Sequence, residues 1–161
     1  MQHDGAAAMT GIVTPEEVFT NLEFRQRDLP GFATVNVALR EFEPKLAFSW
    51  HLSLLLQCAD LIEHRLPSPS EQNILYDIED RLSPLLTANG NAVFLARVTY
   101  GGVRELMWRV HDPEAANSII QEILRPNSCP RPVDYRMDED REWQKAMWYL
   151  DSAAASQPPA R

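Results

Sequence analysis

NAVFLARVTYGGVRELMWRVH, residues 91–111, decides how this chain is built. In its first half Val93, Leu95 and Arg97 alternate with Ala92, Phe94, Ala96 and Val98, so both faces are largely apolar. A strand of that kind belongs in the middle of a sheet. Tyr100-Gly101-Gly102-Val103 follows, and glycine reaches the positive φ that two-residue hairpin turns demand, so the chain reverses here. The return strand, Glu105 to His111, sets Leu106, Trp108 and Val110 on one side.

Upstream, Leu66-Pro67-Ser68-Pro69-Ser70-Glu71 announces a helix, with Ser68 as the cap, Pro69 in the first turn and Glu71 closing a capping box. Ile74, Ile78 and Leu82, widened by Leu75 and Leu85, form its apolar stripe, and Pro84 must kink or end it. Before it, Phe48, Trp50, Leu52, Leu54 and Leu56 share one face of a strand, as do Ala33, Val35, Val37 and Leu39 of another. Their succession through Glu43-Pro44-Lys45 predicts an antiparallel pair. Thr14-Pro15-Glu16-Glu17 carries helix-start chemistry, although Asn21 to Arg27 reads equally as an edge strand, with Leu29-Pro30-Gly31 as the turn after it.

Downstream, Asp112-Pro113-Glu114 opens a helix that buries Ile119, Ile120, Ile123 and Leu124. Val133, Tyr135 and Met137 then alternate as a last strand, and residues 141–150 read as a helix burying Trp143, Met147 and Leu150. The expected fold is therefore α+β, a mixed, mostly antiparallel sheet with helices packed on one face, a sandwich of the ferredoxin-like type. A flexible segment over 1–13, one domain over 14–150 and a disordered tail over 151–161 complete the layout.

With 23 acidic against 15 basic residues the formal charge is -8. Phosphate backbones and anionic lipid are repelled by such a surface, whereas a protein partner with a basic surface is attracted. Solubility alone would also account for the charge. Cys58 and Cys129 are too few to staple the chain and lack zinc-site spacing. Met1 to Thr14 holds no apolar run long enough for a secretory leader, and Leu46 to Ile62 is interrupted by His51, Gln57 and Asp60, short of a membrane span. The expectation is a cytoplasmic protein that enters no membrane.

Two places offer partner-binding chemistry. Tyr76, Asp77, Glu79 and Asp80 cluster on one helix, where a solvated face competes with a binding patch. Asp138, Glu139 and Asp140 precede a helix, whose positive N-terminal end they would offset, and Trp143 follows them. Trp143 and Trp148 stand five apart and cannot share one helical face, so one of them is expected at the surface, where an indole beside acids makes a binding hot spot. No catalytic, metal or cofactor motif is present: Cys58 with His64 has no ligand spacing or orienting acid, neither His51 nor His111 completes a set, and Gly101-Gly102 lies between strands instead of cradling a phosphate.

Leu66-Pro67, Tyr76 to Leu82, Arg97 to Glu105, Asp134-Tyr135 and Asp138 to Trp143 together carry a resemblance. Over roughly residues 18 to 150 the chain resembles the bacterial domain-of-unknown-function family 695. That family's usual Asp-Pro-x-x-Trp ending is here Asp140-Arg141-Glu142-Trp143, and its usual aromatic after the hairpin is Trp108. More distantly the chain is similar to the small acidic protein regulators of ribonuclease E, which implies action by binding an enzyme. The function expected is a non-enzymatic acidic interaction protein, an inhibitor, immunity-type or regulatory partner of a basic protein. The alternative is a small enzyme or ligand-binding domain whose site gathers distant residues such as His51, Arg97 and Asp134.

Overall fold

Alternating and helical periodicities along the chain become six strands and three helices in the computed structural model, which describes residues 11–125 and 127–156. In chain order they are β1 (Phe19–Gln26), β2 (Leu29–Asn36), β3 (Trp50–Gln57), α1 (Pro69–Thr87), β4 (Ala92–Tyr100), β5 (Val103–Val110), α2 (Pro113–Ile123), β6 (Val133–Glu139) and α3 (Gln144–Ser156). The strands make one α+β sheet in the order β1-β2-β4-β5-β3-β6, and each described pairing is antiparallel. As the apolar run of residues 92–98 predicts, β4 is central, and Gly101 and Gly102 close its hairpin at φ 62 and 85.

Several expectations give way. Residues 11–18 form no helix; the chain enters β1 directly, with the Val18 N–H bonded to Asn36 Oδ1 at 3.1 Å. A cap cue without an apolar stripe behind it loses to eight paired residues of strand. The reversal falls at Arg27-Asp28, both at positive φ, and Leu29-Pro30-Gly31 lies inside β2. Pro30 is tolerated there because the pairing of β2 with β4 begins only at Gly31. Val37 and Leu39 leave the strand as a 3-10 turn. β2 and β3 are not neighbours, since β3 pairs with β5 on one side and β6 on the other. The folded connection of residues 37–49 carries the chain past two strands.

Two apolar clusters occupy opposite faces. On one, α1 and α2 cover Leu52, Leu54, Leu56, Phe94, Leu106 and Trp108. The expectation of helices on one face holds for this pair. Residues of the other parity, among them Ala33, Val35, Val98 and Met107, pack with Trp143, Ala146, Leu150 and Ala153 at α3. That helix continues through Ser156, past residue 150, and Trp143 precedes its first turn at φ 60. A β-bulge between Phe94 and Ala96 shifts the register of β4 against β5. Simple alternation groups Arg97 with Val93 and Leu95; the bulge turns it to the face of Phe94, whose ring its guanidinium overlies at 5.8 Å.

Candidate functional site

The α1 patch is built as the cap chemistry dictates, with Ser68 Oγ accepting from the Glu71 N–H at 3.2 Å. Glu71 does not close a box. Its buried carboxylate takes the Ala59 N–H at 2.8 Å and both arms of Arg131 at 2.7 and 2.6 Å. Hydrogen bonding to Arg131 is the main cause that brings its pKa down to about 2. Farther along α1, Asp77 and Asp80 stay exposed, whereas Glu79 is buried and holds Arg97 through two bonds of 2.8 and 2.7 Å. Tyr76 packs against two cations, its ring centre 5.1 Å from the Arg97 guanidinium and 5.2 Å from that of Arg104. The four residues are therefore not one acidic face: Glu79 is already matched within the chain, and Tyr76 belongs to an arginine cluster.

The corner after β6 divides in the same way. Asp138 pairs with Arg136 at 3.0 Å on the surface, and Glu139 is exposed at the strand end. Asp140 caps α3, accepting from the N–H groups of Gln144 and Lys145, and meets the fully buried Arg109 at 2.9 Å. Trp143 is 0% exposed, donates Nε1 to the Lys45 carbonyl at 2.8 Å and lies 4.6 Å from the Arg109 guanidinium. It has no surface to offer a partner. The exposed indole is Trp148, at 56%.

Around Trp148 lie two adjoining cavities of about 410 and 520 Å³ that share Glu105, Trp148 and Tyr149. The larger is lined by two aromatic pairs: Phe24 with Tyr100, stacked at 5.9 Å, and Trp148 with Tyr149, edge-on at 4.9 Å. Glu105 reaches both cavities from β5, half-buried, and accepts from the Ser53 hydroxyl at 2.5 Å. Among the described residues it has no salt-bridge partner. His51 and Asp138 border the smaller cavity. Burial, then the charge of Arg109, lowers the His51 pKa to about 4, so the ring is neutral at pH 7. Arginine only donates, so Nδ1 accepts from Arg109 at 3.2 Å and the proton sits on Nε2. Burial raises the Tyr149 hydroxyl to about 12. Arg25 on the wall of the larger cavity donates to the Asp28 carbonyl, and Arg136 and Lys145 on the wall of the smaller pair with Asp138. Aromatic walls beside a carboxylate that no described cation bridges are chemistry for holding an ammonium or guanidinium group.

Sequence reasoning reached Asp138 and named Trp148, but missed Glu105, Phe24, Tyr100 and Tyr149. Glu105 was readable in principle, since it alternates with the buried Leu106 and so faces away from α1. The set His51, Arg97 and Asp134 does not converge. His51 and Asp134 lie on the α3 side of the sheet, and Arg97 lies on the α1 side. Cys58 and Cys129 are free thiols, that of Cys58 pushed up by burial. No described helix is long and apolar enough to cross a membrane.

No curated protein and no solved structure is found to match this chain, and nothing found connects it with the regulators of ribonuclease E. The family model that does match covers residues 24–151, which include β2 through β6 and every residue lining the larger cavity beside Trp148. On that match the chain belongs to the Family of unknown function (DUF695).

Proposed function

We propose that this DUF695 member is a non-enzymatic interaction protein that binds a basic protein partner by taking a lysine or arginine side chain against Trp148 and Glu105. One observation carries the reading: Glu105 is a half-buried carboxylate, without a salt bridge among the described residues, in a cavity lined by Phe24, Tyr100, Trp148 and Tyr149. A cation entering there gains ring contacts and a charge-assisted hydrogen bond together. The charge of -8 supports the same reading by drawing basic surfaces in. Inhibitor, immunity-type and regulatory roles all fit such a module. We also read the segment from β3 to β6 as ferredoxin-like: its β-α-β-β-α-β succession lays its strands side by side as β4-β5-β3-β6, and the β1–β2 hairpin extends the sheet past β4.

Trp148 supplies the reporter as the most exposed of the four tryptophans, since Trp108 and Trp143 are buried and Trp50 is half-buried on the α1 side of the sheet. Titrating a lysine- and arginine-rich nonapeptide at low salt should shift and quench Trp148 emission, while the same peptide with glutamine at the basic positions should not. Glu105→Gln should weaken binding at least tenfold, a loss of about 1.4 kcal/mol. Equal affinity of Glu105→Gln and the unaltered chain, or no response to any basic peptide, refutes the proposal.

A further inference from the structure

The opposite face of the same hairpin carries a further cavity, of about 240 Å³, beneath the segment that joins β3 to α1. Arg104, from β5, forms part of its lining and is 1% exposed. Its Nε donates to Thr99 Oγ1 at 2.8 Å and its Nη2 to Gln72 Oε1, but Nη1 is buried with no hydrogen-bond partner among the described residues. Among the described residues no carboxylate forms a salt bridge with it. The other buried or half-buried arginines differ: Arg97 is held by Glu79, Arg109 by Asp140 and Arg131 by Glu71. Buried cations are ordinarily paired, because leaving one in an apolar setting costs solvation that nothing returns.

The remaining lining indicates what the counter-charge is attached to. Phe32, Ile62, Leu66 and Pro67 provide an apolar wall, and Tyr76 sits between the Arg97 and Arg104 guanidinium groups. With Arg97 neutralised by Glu79, the cavity keeps one net positive charge within a chain of formal charge -8. A cavity with an apolar wall on one side and one surplus cation on the other selects a small singly charged anion with a hydrocarbon body over a hydrated polyanion. We infer that this cavity binds a small organic monocarboxylate, its carboxylate paired with Arg104 and its apolar body against Phe32 and Ile62. The guanidinium offers a carboxylate planar, directed donors, and an amide of the same shape would bring no charge to it.

Isothermal titration and thermal shift on the full chain, at constant ionic strength and pH 7, test this with isovalerate, isovaleramide, acetate and inorganic phosphate. Isovalerate should bind and stabilise, acetate more weakly, and isovaleramide and phosphate at least tenfold more weakly than isovalerate. A leucine-terminated tripeptide as free acid and as amide separates two sources of the carboxylate: tighter binding of the free-acid peptide than of isovalerate identifies a chain terminus, and the reverse a free acid. Arg104→Gln should remove isovalerate binding. Should that variant fail to fold, Ile62→Glu places a negative charge at a residue 54% exposed on the cavity wall and should weaken isovalerate at least tenfold while leaving the melting temperature nearly unchanged. Failure of isovalerate to bind, equal binding of isovaleramide or phosphate, or undiminished binding by a folded Arg104→Gln or Ile62→Glu overturns the inference. None of these results bears on the Trp148 site, which lies across the sheet.

Discussion

Removing the Asp140 carboxylate should destabilise the chain by about 3–5 kcal/mol, the cost of stranding a buried charge. Arg109 is fully buried and its charge is met at one place: Nη1 reaches Asp140 Oδ2 at 2.9 Å and Nη2 the Asp140 carbonyl at 2.6 Å, while Nε adds a longer bond of 3.3 Å to the Phe48 carbonyl. The same carboxylate holds the first two N–H groups of α3, at 3.0 and 2.9 Å. Asp140→Ala loses both roles. Asp140→Asn keeps an acceptor for the helix and loses only the charge, so it separates them; loss of a cap alone is worth about 1 kcal/mol. For a chain of this length the alanine variant should melt roughly 6–20 °C lower. Urea unfolding of Asp140→Ala, Arg109→Met and the double variant forms the cycle. The double variant contains no stranded charge, so the pair should show a coupling of at least about 1.5 kcal/mol. Additive single effects, or a loss under about 1 kcal/mol for Asp140→Ala, would refute the assignment of this pair as the tie between β5 and α3.

His51 has a folded pKa of about 4 against an ordinary 6.5, so its contribution is complete above pH 6.5 and is lost as pH falls toward 4. Urea midpoints at pH 7 and 4.5 should reveal a loss of about 2–3 kcal/mol that His51→Gln lacks. Glu71, depressed from 4.5 to about 2, acts in the next window: its contribution is present above pH 4.5 and disappears as pH falls toward 2, so Glu71→Gln should flatten that part of the acid-unfolding curve. A Cβ at Gly31 would lie 2.2 Å from the Phe24 ring, so Gly31→Ala should destabilise by about 1–3 kcal/mol in thermal unfolding and, by displacing a wall of the Trp148 cavity, weaken basic-peptide binding.

What could be read in the sequence were the features that a segment settles by itself. Ser68-Pro69 and Asp112-Pro113 begin helices because the side-chain cap and the fixed proline φ act within one turn, and Gly101-Gly102 closes a hairpin because few other residues hold that backbone. The errors arose where a distant partner decides. Thr14-Pro15 has the same local chemistry as Ser68-Pro69, but β2 offers the following residues a ladder that a helix with no apolar stripe could not match. Arg97 changed faces because the bulge in β4 exists only relative to β5. Glu79 and Asp80 are neighbours of equal charge, yet one is buried and bonded to Arg97 while the other is solvated, a distinction that depends on where β4 runs. Trp143 and Trp148 were correctly divided into one inner and one outer residue by helical geometry. Trp143 is buried as read, although it lies before the helix, in a turn with positive φ.

The pleat explains how the two proposed binding surfaces coexist. Arg104 and Glu105 are adjacent in β5, and adjacent strand residues point to opposite faces, so these two charges cannot neutralise each other however close they are in sequence. A pair across neighbouring strands on one face would have closed into a salt bridge and vanished from the recognition surface. Arg97, Arg109 and Arg131 each meet a carboxylate from another element and tie the fold together. Among the described residues the hydrogen-bond partners of Arg104 and Glu105 are neutral, Thr99 and Gln72 on one side and Ser53 on the other. Neutral partners orient a charged side chain without cancelling its charge, so each residue remains fixed and attractive to an opposite charge from outside. That separation on a central strand is what the proposed cation site on one face and the proposed anion site on the other both require.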